Sequence, residues 1–148
     1  MIRATRVANK VADPADSITL SYGDRFRRRI AMVSDGGIEF LLDLAEAKEL
    51  MNGDFLVLED GRHIKVIAAS ENLMRVKAKD KQHLARAAWH VGNRHLPCEI
   101  HPDFIVLTFD RIIEKMLLGL GCEVEQFDGP FSPEGGAYGQ GRVLGHSH

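Results

Sequence analysis

The sequence predicts an α+β chain: an all-β N-terminal domain, a ferredoxin-like βαββαβ C-terminal domain and a flexible tail. Three observations carry this. Hairpin turn signals punctuate short apolar runs across residues 1–70. After that, the apolar spacing switches repeatedly between the strand period of two and the helical period of 3.6. From Gly129 onward the chain turns rich in glycine and proline. The expected units are residues 1–70, residues 71–140 and, as the tail, residues 141–148.

In the first unit, Ile18-Thr19-Leu20 alternates with polar neighbours. Arg27 to Val33 and Ile38 to Leu44 flank Asp35-Gly36-Gly37, whose glycines accept the positive φ that hairpin turns demand. Phe55 to Leu58 and His63 to Ala69 flank Asp60-Gly61, a second hairpin signal. The Ala, Glu, Lys and Leu content of Asp43 to Asn52 predicts a short helix stopped at Asn52-Gly53-Asp54.

The second unit opens with a strand at Leu73 to Ala78. Leu84, Ala87, Ala88 and Val91 then take the i, i+3, i+4, i+7 spacing of an amphipathic helix, with Asp80 as N-cap and Gly92-Asn93 as its stop. Leu96 to His101 and Phe104 to Phe109 are two strands turned at Pro102-Asp103. Ile113, Met116, Leu117 and Leu120 form a second helical stripe capped by Asp110, and Cys122 to Phe127 closes the sheet.

Composition excludes several function classes. A net charge of -2 over 148 residues leaves no basic field for a polyanion, so no nucleic-acid partner is expected. Apolar runs such as Ile105–Leu107 are far shorter than the ~20 residues a membrane helix needs. The N-terminus lacks the apolar segment of a secretory signal. The two cysteines, Cys98 and Cys122, make no Cys-x-x-Cys pair, which argues against a disulfide framework or a thiolate zinc site and makes the cytoplasm the expected compartment. No catalytic motif is present, so the chain reads as a binding protein and not an enzyme.

Histidine is the unusual component, with five of seven at or beyond His90. His83 and His90 stand seven residues apart on one helix, ~10.5 Å along its axis, too far to share an ion, and read as solvated. His95 follows the helix stop. On an extended chain Glu99 and His101 would lie ~13 and ~20 Å away, so His95 has no local co-ligand. It is either a hydrogen-bonded loop histidine or a metal ligand completed by a second copy of the chain or a flexible segment. His146 and His148 end such a segment. Arg25, Arg27, Arg28 and Arg29 form the only basic cluster, either a charged strand edge that resists aggregation or a docking patch for an acidic partner. Phe104 and Phe109 lack the signature of RNA-binding sheets and read as core.

The run Trp89-His90-Val91-Gly92-Asn93-Arg94-His95-Leu96-Pro97 resembles the motif of the UreE-type urease accessory proteins, nickel metallochaperones. The likeness extends through Phe109-Asp110-Arg111, Leu120-Gly121, Pro130 to Tyr138, Arg27-Arg28-Arg29 and Asp54 to Gly61. It implies that residues 1–70 contact partners, that residues 71–140 bind metal and dimerise, and that His95 of two subunits binds Ni2+ at a homodimer interface, with His146 and His148 of the tail as further ligands. It also implies that the homodimer, alone or as a dimer of dimers, delivers nickel to urease with its accessory proteins, including a GTPase. Phe109 and Arg111 stand where some members carry an extra histidine pair, and the tail has only two histidines, which points to delivery and not storage. Zn2+ and Cu2+ are expected to compete, and binding should weaken below the usual imidazole pKa of ~6.5. The rival expectation is a metal-free adaptor that binds protein or RNA through the β domain and arginine cluster.

Overall fold

The computed structural model describes residues 1–11 and 13–135. These fall into two compact units that divide after Ala69.

The first unit is a six-stranded sheet built from β1 (Arg3–Ala8), β2 (Asp16–Leu20), β3 (Phe26–Val33), β4 (Glu39–Glu49), β5 (Phe55–Leu58) and β6 (His63–Ala68). The strand order is β2-β6-β5-β1-β4-β3, with β1·β4 and β2·β6 parallel and the other pairs antiparallel. Gly37 and Gly61 take φ of 99° and 90° in the two hairpin turns, as their Asp-Gly contexts require. Strand β1 carried no turn or alternation signal clear enough to be expected.

The helix expected over Asp43 to Asn52 does not form. That stretch continues β4, pairing Arg27 with Lys48 and Phe26 with Glu49. Phe40, Leu42 and Leu44 alternate inward to join Ala4, Ile18, Leu56, Leu58, Ile64 and Val66 in the core. Continued pairing with β3, with Leu44 keeping the inward period-two alternation of Phe40 and Leu42, outweighs a helix propensity worth only tenths of a kcal/mol per residue.

The second unit runs β7 (Ser70–Lys77), α1 (Lys81–Asn93), β8 (Glu99–Ile100), β9 (Phe104–Thr108), α2 (Arg111–Gly119), β10 (Glu123–Pro130). Its antiparallel sheet has the order β10-β7-β9-β8, which places the first and third strands centrally as in ferredoxin-like domains. Met74, Val76, Ile105 and Leu107 point from the sheet into a core shared with Ala87 and Val91 of α1 and Ile113 and Leu117 of α2. Alternation on the strands and the 3.6 period on the helices thus meet on one face.

Both helices start on an aspartate. Asp80 accepts from the His83 N–H at 2.7 Å, and Asp110 accepts from the Ile112 and Ile113 N–H groups at 2.9 and 3.0 Å. Asp110→Ala is expected to cost about 1 kcal/mol in denaturant unfolding, since two N–H groups at the helix start lose their acceptor. A loss below a few tenths would show that water replaces the cap.

Candidate metal centre

His95 sits at the end of α1 in a conformation its sequence context explains. The His95 N–H donates to the Gly92 carbonyl at 2.9 Å, and the Leu96 N–H to the Val91 carbonyl at 3.3 Å. These are the two bonds of a Schellman cap, with Leu96 packing onto the core that holds Val91. The cap needs a left-handed residue one past Arg94, and His95 supplies it with φ 59°. Among the described residues His95 is the sole non-glycine with positive φ. Glycine takes that conformation without a Cβ penalty. An imidazole held there, exposed to solvent, marks a position where the side chain outweighs local strain.

Arg94, next to His95 in the chain, links the two helices, its Nε donating to the Met116 Sδ at 3.0 Å. Trp89 on α1 and Ile112 and Leu118 on α2 are 63%, 72% and 51% exposed. The sequence offered a signal for this, because Trp89 and Ile112 fall off the buried stripes Ala87/Val91 and Ile113/Leu117, yet neither stood out as a candidate.

The other histidines divide sharply. His83, expected to be solvated, is buried. Its Nδ1 accepts from the Lys79 N–H at 3.1 Å, so Nε2 carries the proton and donates to the Leu120 carbonyl at 2.7 Å. Both nitrogens are consumed, and the ring ties the start of α1 to the end of α2. His90 is half-buried, with its ring edge-on to Trp89 at 5.0 Å. His101 is bonded to Glu99. Among the described residues no three His, Cys, Asp or Glu side chains converge on one point. His146 and His148 lie outside the described residues.

Neither cysteine is a ready thiolate. Burial pushes the Cys98 thiol up, and the Glu134 and Glu99 carboxylates push it further. Burial alone raises Cys122.

The arginine cluster is split. Arg25 is buried, with its guanidinium 5.8 Å from the Tyr22 ring centre, so it does not belong to an exposed docking patch. It precedes β3, where the chain turns inward. Arg27 pairs with Asp24 at 2.9 Å, while Arg28 and Arg29 are exposed on β3, an edge strand. Phe109 packs against the core as expected, but Phe104 points to the other sheet face, stacked on His101 and beneath Arg75. No helix among the described residues is long and apolar enough to cross a membrane.

The fold and site together define a two-domain α+β protein that displays a histidine on a strained helix cap. The family descriptions "UreE urease accessory protein, N-terminal domain" and "UreE urease accessory protein, C-terminal domain" match residues 2–69 and 71–148. The chain is 53% identical to the urease accessory protein UreE of a Chelativorans species, over 100% of this chain and 94% of that protein. It is 51% identical to the UreE of a Bradyrhizobium species over 95% and 68%, and 47% identical to that of Rhodobacter capsulatus over 100% and 94%. The chain belongs to the UreE family of urease accessory proteins. Its members are accessory proteins, not enzymes.

Proposed function

We propose that this protein is a cytoplasmic nickel metallochaperone in which two copies of the chain join and bind one Ni2+ through His95 of both, delivering it for assembly of the urease metallocentre. The observation that carries this is His95 itself, an exposed imidazole kept at a left-handed cap position that glycine would occupy with less strain. The exposed Trp89 and Ile112 on the same domain supply apolar area for a second copy. A site shared between copies also supplies the further ligands that no group of three or more His, Cys, Asp or Glu among the described residues provides. The UreE-type resemblance implies the metal, the two-fold site, and a route to urease with its accessory GTPase.

His146 and His148 are the further ligands in this reading, and Zn2+ and Cu2+ compete for the same imidazoles. Arg27, Arg28 and Arg29 on β3, an edge strand among the described residues, are the docking residues for an acidic partner, without Arg25.

The test is nickel titration by calorimetry, with mass in solution, for wild type and His95→Ala. Wild type should take up one tight ion per dimer and His95→Ala should lose it. Equal stoichiometry and affinity in the two would overturn the reading, as would a wild-type protein that stays monomeric with nickel bound.

A further inference from the structure

A second pair of metal-binding groups lies on and just after the strand β8, and nothing in the proposed nickel site uses it. Glu99 and His101 stand two residues apart on an extended chain, which puts both side chains on one face. The His101 Nε2 lies 2.8 Å from the Glu99 Oε1. A carboxylate cannot donate, so Nε2 carries the proton. The other carboxylate oxygen, Oε2, accepts the Ser132 N–H at 2.9 Å, which holds Glu99 in place. The imidazole is stacked on Phe104 at 4.4 Å with the planes 17° apart, and the His101 N–H donates to the Phe104 carbonyl at 3.0 Å. Both donor groups are therefore oriented before any ion arrives, and both keep contact with water, at 16% and 38% side-chain exposure.

The charge around the pair favours a cation. The Glu134 N–H donates to the Cys98 carbonyl at 2.9 Å, which brings a second carboxylate to this edge. Arg75, whose guanidinium lies over the Phe104 ring, is balanced by Glu125 at 2.8 Å.

We propose that Glu99 and His101 form an auxiliary site for a divalent transition-metal cation, separate from His95. The ion replaces the proton between Nε2 and Oε1, the neutral ring carrying its proton on Nδ1 instead. Small rotations of the ring and the carboxyl aim both donors at one ion, and an imidazole with a carboxylate suits divalent first-row metals, Ni2+ and Cu2+ among them. With two protein ligands, water fills the remaining positions and the site is weak, which suits loading or exchange more than storage.

The experiment uses the full chain carrying His95→Ala, His146→Ala and His148→Ala, so that the proposed nickel centre is removed. Equilibrium dialysis against Ni2+ alone should find one weak ion per chain in this background. Adding His101→Ala or Glu99→Gln should weaken it at least tenfold. Glu99→Gln keeps an acceptor for Ser132 and so guards against a folding artefact. In the background protein, Ni2+ should also broaden the His101 ring proton resonances. No residual ion, or residual binding indifferent to both substitutions, would overturn the proposal. The His95 reading is judged separately, by wild type against His95→Ala, so either can fail without the other.

Discussion

His83→Ala will destabilise the C-terminal domain by about 3 kcal/mol. The ring is 4% exposed and uses both nitrogens, one to accept the Lys79 N–H and one to donate to the Leu120 carbonyl. Removing it leaves a donor and an acceptor at the junction of α1 and α2 without partners, each worth about 1–3 kcal/mol. Lys79 is exposed, so water replaces part of what its N–H loses, which holds the sum for the two groups towards the lower end of about 2–6 kcal/mol. A small cavity adds to it, because Cys122 and Gly121 pack beside the ring. Against a total stability of about 5–15 kcal/mol this is a large fraction. Denaturant unfolding followed by fluorescence is a direct readout, since the chain's single tryptophan, Trp89, lies on α1. His83→Phe restores volume but no hydrogen bond, and should recover the packing part alone. If His83→Phe unfolds like wild type, the ring is held by packing and the hydrogen bonds contribute nothing.

His95→Gly will separate function from stability. Both His95→Gly and His95→Ala should weaken nickel binding by on the order of a hundredfold or more, since even orienting groups around a metal are worth 10–100-fold. Their stabilities should diverge. Alanine keeps a Cβ in the left-handed conformation, whereas glycine removes it, so His95→Gly should be about 1 kcal/mol more stable than His95→Ala, and slightly more stable than wild type. A variant that gains stability while losing its metal is the signature of strain retained for a binding group. Equal stability of the two variants would show that φ 59° at His95 carries no strain. Nickel affinity unchanged in both would remove His95 from the site.

Much of this protein is legible from pattern alone. The hairpins at Asp35-Gly36-Gly37 and Asp60-Gly61 were readable because their turns need backbone conformations that glycine supplies cheaply. Both α-helices were readable from apolar spacing and an aspartate cap, which are local properties. The segment Asp43 to Asn52 was not, because helix propensity is a weak local preference and the partner strand β3 lies outside any local window. His83 was misread for a related reason. A histidine's burial depends on what meets it across the fold, here the Leu120 carbonyl 37 residues away.

The candidate site divides along the same line. Sequence spacing established that His95 follows a helix stop and finds no ligand nearby along the chain. It could not show that the residue after Arg94 must take a positive φ, which follows from the Schellman bonds to Gly92 and Val91. Nor could it separate Arg25 from Arg28 and Arg29, since burial of a guanidinium against Tyr22 is decided by packing. By itself, then, the sequence determined the secondary elements whose causes are local, the family, and the histidine on which function is proposed to turn. Only the tertiary structure decided which histidines are spent on holding the fold and which remain presented to solvent, because hydrogen bonds and burial depend on groups that the chain brings together from far apart.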